Sequence, residues 1–126
     1  MNRRKFLQLA ACLPLAFLRP TESVRPREIV LLETAVAGWR YHEGERVWTA
    51  LHPGDRLELR REPDNPHDGM AIAIHGAGAK LGYIPQIDNM VIANIMDQGS
   101  KVRGAVLHKN PSPHPWERME IRVLLA

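Results

Sequence analysis

Residues 57–74 read Leu-Glu-Leu-Arg-Arg-Glu-Pro-Asp-Asn-Pro-His-Asp-Gly-Met-Ala-Ile-Ala-Ile, and this segment is the most informative part of the sequence. Leucines alternate with charged residues before a polar loop, and isoleucines alternate with alanines after it, which predicts two half-buried strands. Pro63 and Pro66 fix their own φ and restrict the residue before each of them, so the loop is stiff. We therefore expect a hairpin whose rigid tip carries His67 and Asp68.

The remaining sequence predicts further strands and one helix. Strands are expected at residues 29–36, 80–84, 102–108 and 119–125, in addition to the hairpin at 56–75. Apolar residues recur at helical spacing over residues 86–98, where Ile87, Val91, Ile92, Ile95 and Met96 are expected to face the core, and Asp88, Asn89, Asn94 and Asp97 the solvent. Six strands with a one-sided apolar pattern and one helix predict a mainly β domain, a small barrel or curled sheet.

The first 23 residues resemble an export signal. Residues 2–7, Asn-Arg-Arg-Lys-Phe-Leu, resemble a twin-arginine motif, and the apolar run at residues 9–18 is too short for an ordinary membrane span. Residues 9–12 also fit a lipoprotein box, which leaves a lipid on Cys12 as an alternative. We expect residues 24–28 to be a linker and residues 29–126 to be one domain. The protein is expected to be exported, and to be periplasmic or anchored to the membrane only by its N-terminal segment.

The net positive charge of the chain comes from this N-terminal segment. The whole chain carries a formal charge of +3, but residues 1–23 hold four basic residues and one acidic residue, which leaves 13 of each beyond Ser23. A neutral domain lacks a field that attracts phosphates in general, so affinity for nucleic acid has to come from a local site. Because Cys12 is the only cysteine, neither a disulfide nor a cysteine zinc site is expected.

Three segments together resemble the HIRAN domain family. They are Arg-Glu-Pro-Asp-Asn-Pro-His-Asp-Gly-Met-Ala-Ile at residues 61–72, Val-Ala-Gly-Trp-Arg-Tyr-His-Glu-Gly at residues 36–44, and Leu-Gly-Tyr-Ile-Pro at residues 81–85. The similarity runs from about Ile29 to the C-terminus. It implies a six-stranded, OB-like barrel with one packed α-helix, and binding of the 3′ end of single-stranded DNA without a cofactor.

The resemblance also implies a ligand site. Its residues are Arg40, Tyr41, His67 and Asp68, with Tyr83 close by. A carboxylate can accept a hydrogen bond from a terminal hydroxyl group, flat rings can stack on bases, and a guanidinium can hold a phosphate. We therefore expect a monomeric binding module for a single-stranded DNA end or a nucleotide-like ligand, and not an enzyme.

Simpler interpretations stand beside these roles. Asp68 precedes a glycine and could bond only its own backbone as a turn residue. Arg40 could form a surface ion pair with a nearby glutamate. Trp39 and Tyr41 alternate, so only one of them is expected to face a ligand. This chain also departs from the family pattern, with His67 where many relatives carry an aromatic residue and Gln86 where bacterial relatives commonly carry a basic one.

Two other functions remain open on the sequence. An exported domain could use the same groove for a protein or a glycan of the cell envelope. A metal-dependent phosphoesterase is the third possibility, because the chain contains six histidines and many acidic residues. No pair of histidines has the spacing of a known zinc motif such as His-Glu-x-x-His, so we expect no metal site.

Overall fold

The computed structural model describes residues 28–126, so the predicted export signal and the linker up to residue 27 lie outside the described residues. The strands are β1 (Ile29–Ala35), β2 (Arg56–Arg61), β3 (Ile72–Gly76), β4 (Ala79–Tyr83), β5 (Val102–Lys109) and β6 (Met119–Leu125). The α-helix α1 spans Gln86–Asp97, and short 3-10 helices cover Trp39–Tyr41, Glu45–Ala50 and Pro115–Glu117. This arrangement confirms the prediction of a mainly β domain with six strands and one α-helix.

All six strands form one antiparallel sheet in the order β1-β6-β5-β2-β3-β4. The chain leaving β1 then reaches the opposite end of the sheet, where Ala37 and Tyr83 exchange two backbone hydrogen bonds of 2.8 Å. Gly82 permits this approach, because a Cβ atom there would lie 2.3 Å from the Ala37 carbonyl oxygen. The sheet therefore curls until its two ends meet, as expected for an OB-like fold.

The predicted hairpin is present, and β2 pairs with β3 from Glu58 with His75 to Arg61 with Ile72. The expectation that both strands are half-buried was wrong for β3, in which residues on both faces are buried. Ala73, on its outer face, is paired with Arg60 on one side and Tyr83 on the other. Its small side chain lies between two large ones, which is why it is removed from solvent.

The helix has the predicted position but presents a different face to the core. Asn89 is only 3% exposed, whereas Ile87 and Val91 are 89% and 66% exposed. Asn89, Ile92 and Ala93 point inward, so the apolar face inferred from the spacing was partly wrong. The inward face combines apolar packing of Ile92 and Ala93 with a hydrogen bond from Asn89 to the hairpin loop, described below.

The core fills the space between the curled sheet and α1. Its largest fully buried side chains come from the sheet and from the segments that cross its open edges: Trp39, Leu51, Leu57, Ile72, Ile74, Leu81, Ile84, Met119 and Ile121. Within residues 28–126, no helix is both long and apolar enough to cross a membrane.

Candidate functional site

Asn65 organises the loop between β2 and β3. Its Oδ1 accepts hydrogen bonds from the backbone N–H groups of His67 at 2.8 Å and of Asp68 at 3.2 Å. An asparagine that bonds the backbone two residues further on replaces a backbone turn and restricts the residues between. Together with Pro63 and Pro66, this contact holds the ring of His67 and the carboxylate of Asp68 at the tip of the hairpin.

A hydrogen-bonded cluster of four polar side chains connects the loop to β4; they are Glu62, Asn65, Lys80 and Tyr83. Glu62 accepts hydrogen bonds from the Tyr83 hydroxyl at 2.7 Å, from Lys80 Nζ at 2.9 Å and from Asn65 Nδ2 at 3.1 Å, and Lys80 also donates to the Tyr83 oxygen at 2.6 Å. Burial alone would raise the pKa of Glu62, but the hydrogen bonds from Lys80, Tyr83 and Asn65 outweigh it and lower that pKa to about 2. The carboxylate therefore stays ionised and ties the loop to β4.

Asp68 is held at both of its oxygen atoms. Oδ1 accepts from the backbone N–H of Met70 at 2.9 Å, and Oδ2 accepts from Asn89 Nδ2 at 2.7 Å. The Met70 contact is the turn bond that the simpler interpretation anticipated, and the Asn89 contact is a long-range one. The bonds from Met70 and Asn89, with a smaller contribution from Gln86, lower the pKa of Asp68. A carboxylate offers about four acceptor positions, so Asp68 can still accept from a ligand.

A pocket of about 510 Å³ lies beside this carboxylate. It is lined by Ala37, Gly38, Tyr41, His42, Asn65, His67, Asp68, Ala71, Tyr83, Ile84 and Gln86. Tyr41, His67, Asp68 and Tyr83, four of the five residues expected at the site, therefore meet at one opening. Among the residues that line it, Asp68 is the only one with a formal charge, so the pocket combines aromatic walls with one negative group.

Arg40, the fifth expected residue, does not line this pocket. Gly38 has φ 75° and starts a 3-10 turn, which buries Trp39 at 2% exposure and leaves Tyr41 77% exposed. Of the two alternating aromatic residues, Trp39 therefore faces the core and Tyr41 faces the solvent. The Arg40 guanidinium carbon lies 5.5 Å from the centre of the Tyr41 ring, so Arg40 stands at the border of the pocket.

A second groove of about 670 Å³ begins on the other side of Arg40. Its outer wall is formed by His114 and Trp116, whose rings stack with centres 4.8 Å apart, and Trp116 is 61% exposed. Because Arg40 lines this groove and its neighbour Tyr41 lines the pocket, the two openings adjoin. A linear ligand whose end enters the pocket could continue over Arg40 into this groove.

Sequence reasoning missed several residues that shape the site. His42 packs edge-on against the Tyr83 ring at 5.5 Å, and burial followed by the charge of Lys80 lowers its pKa, which favours the neutral ring. The proline-spaced motif pointed to the loop that contains Glu62 and Asn65, but it carried no sign of their contacts with β4. In residues 28–126 no group of three or more histidine, cysteine or acidic residues is placed to hold a metal ion.

Comparison with known proteins identifies the family. Residues 29–126 match the HIRAN domain. A crystal structure of a protein from Lactobacillus plantarum is 30% identical, with a TM-score of 0.68, and the match covers 79% of this chain and 98% of that one. The crystal structure of the HIRAN domain of human HLTF shares the fold, at 22% identity and a TM-score of 0.60, over 78% of each chain.

None of the curated proteins compared with this chain matches it. The family match covers well over half of the chain, and it includes the hairpin loop, the turn that carries Tyr41 and the strand that carries Tyr83. The chain therefore belongs to the HIRAN domain family.

Proposed function

We propose that this protein is a nucleic-acid-binding module that holds the 3′ end of a single DNA strand in the pocket beside Asp68. Its membership of the HIRAN family supports nucleic-acid binding in general. The observation that carries the finer proposal is the meeting of Tyr41, His67, Asp68 and Tyr83 at one opening, with an ionised acceptor among aromatic rings. These are the groups needed to bind a terminal hydroxyl and to stack a base.

Asp68 is the group that distinguishes a strand end from its interior. A 3′ hydroxyl can donate a hydrogen bond to the carboxylate, whereas a phosphodiester has no proton to donate. A hydrogen bond to a charged group contributes about 1.5–3 kcal/mol, which corresponds to roughly 10-fold to 150-fold in affinity. A terminal phosphate would bring a second negative charge into a pocket without a positive one, so we expect it to bind more weakly still.

The aromatic residues and Arg40 account for the rest of the ligand. Tyr41 is exposed at the mouth of the pocket and His67 lies on the loop, so either ring can contact the terminal base. Arg40 can bind the phosphate group next to the terminal nucleotide. The adjoining groove then gives the strand an exit along the exposed Trp116, because aromatic faces accept any base.

Fluorescence anisotropy with labelled oligothymidines tests this proposal. Strands of one sequence that end in a 3′ hydroxyl, a 3′ hydrogen or a 3′ phosphate should bind the full chain in that order of decreasing affinity. Asp68→Ala should remove the preference, whereas Asp64→Ala, which removes the same charge from an exposed position in the same loop, should keep it. Equal binding of the three strands by the unmodified protein would overturn the proposal.

The location of the protein is a separate proposal. We infer from the sequence of residues 1–23 that the domain is exported, although DNA is processed in the cytoplasm. When a reporter is fused after Ser23, its activity should be found only outside the cytoplasm. Replacement of Arg3 and Arg4 by lysine should keep the reporter in the cytoplasm. Cytoplasmic activity of the unmodified fusion would contradict export.

Binding of a non-nucleic-acid partner in the cell envelope is the second candidate function, and the negative charge of the site favours it. Residues 28–126 hold 11 basic and 13 acidic residues, and a carboxylate among aromatic rings also suits an ammonium group. A cationic peptide or amino sugar that binds the full chain through Asp68, in the absence of any oligonucleotide binding, would support this candidate. A phosphodiesterase assay with added divalent metal tests the remaining enzymatic alternative.

A further inference from the structure

Asn89 is a buried amide in a face of α1 that otherwise packs on the core. It is 3% exposed, and its neighbours on the inward face, Ile92 and Ala93, are apolar. A buried amide costs free energy unless its hydrogen-bonding groups find partners, and an apolar residue would pack at this position without that cost. The partner of Asn89 is Asp68 Oδ2, 21 residues away in sequence at 2.7 Å.

The Asp68 carboxylate is held directly by neutral donors. Met70 N–H bonds one oxygen and Asn89 Nδ2 bonds the other, which fixes both the position and the rotation of the group. The nearby Arg61 guanidinium does not bond it, since it donates to Asp97 and to the carbonyl oxygens of Gly69 and Ala71. The carboxylate therefore keeps its charge while its orientation is set by the helix.

The helix is itself fixed relative to the loop. At its C-terminal end Asp97 forms an ion pair with Arg61 at 2.8 Å, and the same guanidinium bonds the loop carbonyls. At its N-terminal end Asp88 Oδ2 accepts from the Thr34 hydroxyl at 2.9 Å. Asn89 lies between these two contacts, which hold the helix backbone so that its amide faces Asp68.

We propose that Asn89 is a positioning residue that orients the Asp68 carboxylate for recognition of a strand end. This inference rests on the proposed function, because it assigns the source of the selectivity of that pocket. Asn89 does not line the pocket, so its effect on a ligand passes through Asp68. Without the amide, Oδ2 loses its buried partner, and the carboxylate is held only by the turn bond from Met70 and the weaker contact with Gln86.

Two measurements on the full chain test this role. In Asn89→Leu, the preference for a 3′ hydroxyl over a 3′ hydrogen should fall about tenfold, while binding of the 3′-hydrogen strand stays near its original value. In a carbon NMR titration without ligand, the pKa of Asp68 should rise, because a hydrogen bond to its charged form is gone. Asn94→Leu, at an exposed position of the same helix, should change neither quantity.

The unmodified protein offers a readout that does not depend on a variant folding. The side-chain NH₂ resonances of Asn89 should shift with the titration of Asp68 and shift again when the 3′-hydroxyl strand is added. If Asn89→Leu keeps both the end preference and the Asp68 pKa, or if these resonances follow neither event, the positioning role is wrong and the proposed function stands. If the unmodified protein shows no preference for a 3′ hydroxyl, the proposed function fails and takes this inference with it.

Discussion

The Glu62→Gln variant tests the polar cluster that holds the hairpin loop against β4. The substitution keeps the size of the side chain but removes the charge that accepts from Lys80, Tyr83 and Asn65. In the folded protein these bonds lower the pKa of Glu62 from 4.5 to about 2. The ionised form is thus the one that the folded state prefers.

The size of the effect follows from this shift. A difference of roughly 2.5 pKa units corresponds to about 3 kcal/mol of stability. The side chain is 31% exposed, and solvent screening reduces this value, so we expect about 1–2 kcal/mol. Because the folded pKa is lowered, this stability is fully present above pH 4.5 and is lost as the pH falls from 4.5 towards 2.

Urea unfolding of the full chain at pH 7, 5 and 3 measures this dependence. The unmodified protein should be more stable than Glu62→Gln by about 1–2 kcal/mol at pH 7 and 5, and the difference should shrink at pH 3. Glu120→Gln, at an exposed position of β6, serves as a control for a simple loss of surface charge. A difference between the two proteins that stays constant from pH 7 to pH 3 would refute the reasoning.

Three further results are expected. Tyr41→Ala should weaken oligonucleotide binding by about 1–3 kcal/mol without changing the unfolding midpoint, because the ring is exposed; an unchanged Kd would exclude stacking on Tyr41. The affinity should depend weakly on salt, with a slope of about −0.7 for each phosphate bound, and Arg40→Ala should reduce that slope; a steep slope that survives the substitution would place the phosphates elsewhere. Gly82→Ala should destabilise the fold by about 1–3 kcal/mol in urea unfolding, because its Cβ would meet the Ala37 carbonyl oxygen, whereas Gly69→Ala should cost much less.

Only part of the expected site could be predicted from the sequence. The proline-spaced motif located Asp68 and His67, because prolines and an asparagine act on their immediate neighbours. The family resemblance implied that Arg40 belongs to the same site as Tyr41, but the 3-10 turn after Gly38 directs the arginine towards the adjoining groove. A change of direction within three residues depends on the backbone conformation, which residue types alone do not specify.

Local rules thus account for the number of strands and their positions along the chain, for the hairpin and for the existence of the helix, because alternation and helical spacing depend on residues close in sequence. The rotation of α1 could not be read in this way, since apolar residues occur on both of its sides. A long-range contact between Asn89 and Asp68 lies on the buried face, and it acts together with the ion pair between Asp97 and Arg61 at the end of the helix. The contact between the two sheet ends at Ala37 and Tyr83 also joins residues that are far apart in the chain. It creates the pocket, because a cavity forms only where distant segments are packed together.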